Sequence, residues 1–167
     1  MSFDEYIDEY IDEYREQLSK GRIDKAYRGL MGYISSLRSN LRDGHPDYSV
    51  SGNVQHGLMD YTYFYFTPNN FKQRELKVVI IFIHGSFSFE VWLSGYNKQV
   101  QKRYLEQFKG SEWGKYHIAP TTKGHDYIVR HVLIENPDFR NLDALTRQIE
   151  DGAIHFIEDI EGFLSGK

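Results

Sequence analysis

The chain of 167 residues carries a net charge of −4 and contains no cysteine. The lack of cysteine excludes disulfides and thiolate metal sites, and the net negative charge argues against a general nucleic-acid binder. The longest apolar run, at 78–83, is far shorter than the ~20 residues of a membrane helix, and the first residues lack the basic and apolar segments of a secretory signal. We therefore expect a cytoplasmic protein that does not enter membranes, with one domain over residues 1–167.

The charge is distributed unevenly along the chain. Residues 1–20 contain seven acids and two bases, and residues 131–167 contain eight acids and three bases. Residues 71–130 contain ten bases and five acids, so acidic ends flank a basic middle. Solvated helix faces would produce this pattern, and so would a middle segment that attracts an anionic ligand.

Apolar residues at helical spacing predict two helices at the N-terminus. The first has its apolar stripe between residues 3 and 18 and ends before Gly21, a residue type that favours helix ends. The second has its stripe between residues 23 and 41, and the short break between them predicts an antiparallel helical hairpin. The stripe residues are Phe3, Tyr6, Ile7, Tyr10, Ile11, Tyr14 and Leu18, followed by Ile23, Ala26, Tyr27, Leu30, Met31, Ile34, Leu37 and Leu41.

The period then changes to two, which predicts strands. One long strand is expected over 54–66, bent at Gly57. Because successive side chains of a strand point to opposite faces, Tyr61, Tyr63 and Tyr65 share one face of this strand.

A strand that is apolar on both faces follows over 76–84, so we expect it in the centre of a sheet. Residues 85–86 are Gly-Ser, which fits a two-residue type II′ turn into a third strand over 87–93. Such a turn pairs His84 with Phe87.

The last third of the chain predicts two helices and one more strand. Ser94 is a suitable N-cap for a helix over 96–109, and residues 110–125 are predicted to form a loop. The β-branched residues of 127–135 favour a strand, although their spacing also suits a helix. Apolar residues between 142 and 164 predict a long C-terminal helix.

The predicted fold class is therefore α+β, with element order αα-βββ-α-β-α. Strands joined by hairpins imply an antiparallel sheet, here of about four strands. An N-terminal helical hairpin precedes the sheet, and helices pack on it to cover its apolar surface.

A ligand-binding site is predicted on one face of this sheet. The tyrosines of the first long strand would meet Glu90 and Trp92 if their strands are neighbours, and the amides of the next helix would need partners that Glu90 or the Trp92 indole could supply. Aromatic walls with a few polar groups are typical of small-ligand pockets, but the same residues could instead pack beneath the first helix as core. The predicted ligand-binding residues are Tyr61, Tyr63, Glu90, Trp92, Asn97 and Gln101.

Two acids on predicted strands, Asp60 and Glu90, leave a metal-dependent hydrolase or nuclease on an anionic substrate as an alternative. Several features argue against it. Trp92 stands where a lysine usually completes such a site, and strand parity places both Asp60 and His84 on the face opposite Glu90. The histidines have no standard metal-ligand spacing, and the sequence has no phosphate-binding glycine loop. We therefore predict no metal site and no cofactor.

Five short segments combine aromatic, polar and glycine residues: YSVSG at 48–52, MDYTYF at 59–64, FEVWLSGYNK at 89–98, NPDF at 136–139 and LDAL at 142–145. Together they resemble an uncharacterised bacterial family, a domain of unknown function of about this length. The resemblance covers nearly the whole chain and implies a free-standing bacterial cytosolic protein. It implies no activity, cofactor or catalytic residue.

Three functional hypotheses follow. The first is a non-catalytic module that binds a small molecule, an anionic ligand or a partner segment through the predicted sheet-face residues. The second is the metal-dependent hydrolase, and the third is an interaction protein that forms a homodimer through its N-terminal helices.

Overall fold

The fold is α+β, as predicted, in a computed structural model that describes residues 7–166. N-terminal helices precede an antiparallel sheet of six strands, and a long C-terminal helix packs on that sheet. The predicted stripe residues Phe3 and Tyr6 lie outside the described residues. The helices are α1 (Ile7–Ser19), α2 (Ile23–Gly44), α3 (Asn69–Gln73), α4 (Lys98–Lys109) and α5 (Leu142–Leu164). The strands are β1 (Tyr48–Val50), β2 (Tyr61–Pro68), β3 (Leu76–Ile83), β4 (Ser88–Gly95), β5 (His117–Ile118) and β6 (Val129–Glu135).

Two compact units divide the chain, with their boundary in the sequence between Ser36 and Leu37. The first unit contains α1 and the start of α2, and no residue of α1 is buried. Gly21 separates these helices with a φ of +65°, a backbone conformation that favours glycine, which confirms the predicted break. The second unit contains the sheet and the remaining helices. The single domain over 1–167 stays a prediction.

The strands of the sheet lie in the order β1-β2-β3-β4-β6-β5, and every neighbouring pair is antiparallel. The central position of β3 is confirmed, since most of its residues are buried between β2 and β4. Residues Val129–Glu135 pair with β4, so the strand interpretation of this segment is confirmed. The two strands beyond the predicted four, β1 and β5, have only three and two residues, too short to show a period.

The predicted long strand over 54–66 is wrong, because the chain reverses direction within it. Gln55 and Tyr63 exchange both backbone hydrogen bonds, at 2.8 and 2.9 Å, and so face each other across a tight loop. Gly57 lies in this loop with a φ of +72°, and a Cβ there would overlap the carbonyl oxygen of Tyr61. The loop exposes Leu58 almost fully, at 91%. The alternation of apolar residues that predicted one strand therefore runs through a reversal of the chain, and the backbone conformation of that reversal requires glycine at position 57.

The turn between β3 and β4 is also longer than predicted. The ladder ends at the pair of Ile83 with Ser88, so four residues, 84–87, make the connection. Gly85 does not have the positive φ that a type II′ turn requires, whereas Phe87 has a φ of +52°. The ring of Phe87 packs against Phe82 at 5.1 Å, and this contact accompanies the unusual backbone.

The core of the second unit lies between α5 and one face of the sheet. Alternate residues of β2, β3 and β4 fill it, and α5 approaches β6 closely at Gly152. A Cβ at Gly152 would lie 2.8 Å from Cδ2 of Leu133, so glycine permits the close approach of helix and strand. The fully buried aromatic side chains of this core include Phe64, Phe66, Phe82, Phe89 and Phe156.

The N-cap of helix α4 lies three residues later than predicted. Asn97 is the N-cap, and its side-chain oxygen accepts a hydrogen bond from the backbone N–H of Val100 at 2.9 Å. The hydroxyl of Ser94, the predicted cap, donates instead to the carbonyl oxygen of Asp126. The difference matters for the site, because it places the first turn of α4 beside the end of β4.

Candidate functional site

The sheet face opposite α5 carries an open cleft of about 640 Å³. Its floor comes from β2, β3, β4 and β6, and its rim from the start of α4 and the loop before β6. A volume of this size is typical of small-ligand sites. We call it the aromatic cleft after its walls, which are Tyr61, Tyr63, Tyr65, Trp92, Tyr96 and Tyr127.

Strand register brings the tyrosines and the tryptophan to one face, as parity predicted. Val79 lies opposite Tyr65 on one side and opposite Trp92 on the other. Ile81 in the same way lies between Tyr63 and Glu90. Because directly opposed residues of antiparallel strands share a face, all these side chains emerge on the same side of the sheet.

The aromatic walls are accessible from solvent. The ring of Trp92 lies 6.1 Å from that of Tyr61 and 5.3 Å from that of Tyr127, both between ring centroids. Tyr61 is 45% exposed, and Tyr63 is half-buried. The second unit therefore presents this face as an open surface and not as sealed core.

Glu90 does not line the cleft but supports its wall. The side chain is almost fully buried, at 5% exposure, and it accepts a hydrogen bond from Nε1 of Trp92 at 3.0 Å. Nε of Arg130 lies 3.7 Å from the same carboxylate oxygen. A buried carboxylate needs such partners, and here they fix the indole and the guanidinium at the edge of the cleft.

The two amides at the start of α4 line the cleft, but the partners predicted for them are wrong. Asn97 caps the helix, and Nε2 of Gln101 donates to the carbonyl oxygen of His125 at 2.8 Å. Glu90 and the Trp92 indole bond to each other instead. Gln101 is 3% exposed, and its Oε1 accepts no hydrogen bond from the described chain while keeping some access to the cleft.

The cleft is also lined by positively charged side chains, which the predicted site did not include. The ammonium of Lys77 lies 4.9 Å from the ring centroid of Tyr65 and 5.8 Å from that of Tyr96. Arg130 lies over the ring of Tyr127 at 5.2 Å. A signal for Lys77 was present, since it is the only charged residue of the apolar strand at 76–84. A charged side chain in a central strand lowers the stability of the fold, so the position of Lys77 indicates a functional role.

The phenol of Tyr63 stays protonated at neutral pH. Burial raises the pKa of Tyr63 above its ordinary value, and the neighbouring phenol of Tyr65 raises it further. The Tyr63 hydroxyl therefore offers the cleft a neutral hydrogen-bond donor and acceptor.

Of the residues weighed for the metal-dependent alternative, Asp60 and His84 lie close together, but Glu90 does not join them. Asp60 accepts backbone hydrogen bonds from Leu58 and Tyr61, at 2.9 and 2.7 Å, and these bonds lower the pKa of its carboxyl. His84 contacts Thr62 and packs on the core side of the sheet, whereas Glu90 lies on the cleft side. Within residues 7–166, no group of three or more His, Asp or Glu side chains is placed to hold a metal ion.

The family model described as a domain of unknown function (DUF7000) matches residues 7–164, so the chain belongs to this family. No curated protein and no solved structure matches the chain. None of the described helices is both long enough and apolar enough to span a membrane.

Proposed function

We propose that this DUF7000 protein is a non-catalytic module of the bacterial cytosol that binds a small molecule in the aromatic cleft. The observation that carries the proposal is the open face itself, where six aromatic walls surround about 640 Å³ of accessible space. Exposed aromatic surface of this kind is costly to leave in water, and a ligand that stacks on it recovers the loss.

The polar groups of the cleft suit recognition better than catalysis. Glu90 accepts a hydrogen bond from Trp92 and forms an ion pair with Arg130, and Asp126 lies 3.4 Å from the ammonium of Lys98. In the part of the chain that the structure describes, neither carboxylate forms a hydrogen bond with a histidine or a hydroxyl nucleophile, as acid–base or covalent catalysis would need. A cleft built this way holds and orients a ligand.

Fluorescence of a single tryptophan tests the proposal. The chain has two tryptophans, and Trp113→Phe leaves Trp92 as the only indole. Trp113 packs against Phe108 and Phe163, so phenylalanine preserves most of that contact. Titration with a set of small aromatic fragments should quench or shift the Trp92 emission with saturation.

Two further variants separate binding from folding. Trp92→Ala should abolish fragment binding, measured by calorimetry, while the circular dichroism spectrum is kept, because the indole is only half-buried. Tyr61→Ala, at a more exposed wall, should weaken binding without loss of stability. A set of fragments that leaves Trp92 emission unchanged at millimolar concentration would contradict the proposal.

A second candidate function, homodimerisation through the N-terminal helices, has its own supporting observation. Helix α1 has an apolar stripe but no buried residue, and Tyr14 is 62% exposed. The stripe continues along the helix through Tyr10, Ile11 and Leu18, each at least 40% exposed. A contiguous exposed apolar surface is typical of an interface.

Light scattering on a size-exclusion column tests this candidate. The wild-type chain should elute with the mass of a dimer, and Tyr14→Lys should shift it to the monomer. Glu9→Lys introduces the same residue on the opposite side of α1 and should leave the mass unchanged. A monomeric wild-type chain would exclude the candidate.

A further inference from the structure

We infer that the ligand of the aromatic cleft is a flat aromatic ring carrying one anionic group, with the anion at Lys77 and the ring against Trp92. The inference rests on the proposed function, since it names the chemistry of the ligand for that site. Three features carry it: a cation without an acid partner, a positively biased rim, and a distance along β3 that matches such a molecule.

Lys77 is the first feature. Its side chain is half-buried in the central strand, between the rings of Tyr65 and Tyr96. Among the described residues, no carboxylate lies within 4.0 Å of its ammonium. Cation–π contacts recover only part of the hydration that a half-buried ammonium loses, so an incoming anion would complete its surroundings.

The rim near Lys77 carries further positive potential. Ser94 pairs with Lys77 across β3 and β4, and the chain continues from there into the first turn of α4. The free backbone N–H groups of a helix start favour an anion nearby. Asp126 is the only acid among the described lining residues, and Lys98 lies beside it at 3.4 Å.

The second end of the cleft is aromatic, and its one cation, Arg130, already lies 3.7 Å from the buried carboxylate of Glu90. Val79 is two residues from Lys77 on the same face of β3, about 6.6 Å along the strand, and it lies opposite Trp92. A ring on the indole and Tyr61 therefore places a short anionic substituent at the ammonium of Lys77. Oε1 of Gln101 accepts no hydrogen bond in the described chain and keeps access to the cleft, so it remains to accept one from a ring N–H or hydroxyl of the ligand.

Calorimetry with matched probes tests the charge requirement. The probes share one ring: 1-naphthylacetate is charged, 1-naphthylacetamide is its neutral analogue, and acetate is the anion alone. We expect the wild-type chain to bind naphthylacetate about tenfold or more tighter than the amide, because a charge-assisted hydrogen bond to lysine is lost. Acetate alone should not bind measurably. A fourth probe, 1-naphthyl phosphate, shows whether the anion preferred is a carboxylate or a phosphate.

Variants assign the preference to Lys77. Lys77→Met should bring the ratio of the two affinities close to one, and Lys77→Arg should retain most of it. Lys102→Met is the matched control, since Lys102 is exposed on α4 outside the cleft, and its ratio should equal that of the wild type. Thermal unfolding of each variant confirms that the fold is kept.

The outcomes separate this inference from the proposed function. If the amide binds as tightly as naphthylacetate, or if Lys77→Met leaves the ratio unchanged, the inferred anion is wrong while the cleft remains a binding site. If neither naphthyl probe binds and Trp92 emission is unchanged in the fragment titration, both the inference and the proposed function are wrong.

Discussion

At the scale of single residues, the buried Glu90 determines how two side chains of the cleft are held. Its buried carboxylate accepts the indole N–H of Trp92 and faces Arg130, so both cleft residues depend on an acid that a ligand would not touch. Sequence parity placed Glu90 on the right face, but which atoms it contacts depends on side-chain torsions that no spacing records.

Removal of this carboxylate should cost stability. Glu90→Ala removes a buried acceptor of the indole N–H and the partner of the partly exposed Arg130 guanidinium, so we expect a loss of about 1–3 kcal/mol in the free energy of unfolding. Urea denaturation measures it. Glu106→Ala, at an exposed position of α4, should change the stability by less than about 0.5 kcal/mol. Equal effects of the two substitutions would show that the buried contacts contribute nothing.

His84 predicts a pH dependence. Burial lowers the pKa of its imidazole below the ordinary value, and Asp60 opposes this only in part. The folded state therefore binds the proton less readily than the unfolded state, so stability falls as the pH drops through about 6.5. Burial lowers the pKa of His131 in the same direction, and its contribution adds to that of His84.

Denaturation at pH 7.5 and pH 5.5 tests the contribution of His84. The wild type should be less stable at the lower pH, and His84→Gln should lose less than the wild type over the same interval. The pKa values of Asp60, Asp138 and Asp159 are lowered, so their effects fall below pH 4 and do not enter this window. An unchanged difference in the variant would contradict the assignment.

At the scale of elements, the contact between β4 and α4 sets one wall of the cleft. Gly95 ends β4, and a Cβ there would lie 2.7 Å from the backbone nitrogen of Gln101. Because that neighbour is backbone and cannot rotate away, Gly95→Ala should displace α4 and cost about 1–3 kcal/mol. Ligand affinity should fall with it, since Asn97 and Gln101 move.

Gly29 provides the contrast for this prediction. It is exposed within α2, and a Cβ there would meet no atom within 4 Å. Gly29→Ala should therefore raise the stability by about 0.5–1 kcal/mol, as expected for a helix interior. Thermal unfolding compares the stabilities of the two variants. A Gly29→Ala variant less stable than the wild type, together with a Gly95→Ala variant of unchanged stability, would contradict both predictions.

Elements with a regular period were predictable, and their ends were not. The stripes of α2, α4 and α5 and the apolar run of β3 follow from spacing alone. The reversal at Gly57 and the four-residue turn before Ser88 depend on positive φ angles and on ring contacts across the chain. Local patterns do not contain that information.

At the scale of the whole molecule, the fold class and the pairing of β3 with β4 followed from the predicted hairpin. The edge strands β1 and β5 were missed because two or three residues show no alternation. Arg130 was absent from the predicted site because it joins through the sheet order, which places β6 beside β4, whereas Lys77 on β3 carried a sequence signal that the prediction did not use. Of the aromatic walls, Tyr61, Tyr63 and Trp92 were predictable because parity within a strand survives any topology.

The most direct test of the binding site is the indole N–H resonance of Trp92 in a ¹⁵N-labelled chain titrated with 1-naphthylacetate. Trp92 and Trp113 give the only two indole signals, and Trp113 lies outside the cleft, against Phe108 and Phe163. We predict that the Trp92 signal shifts with saturation while the Trp113 signal stays in place. A Trp92 signal that does not move, or a shift confined to Trp113, would contradict the aromatic cleft as the binding site.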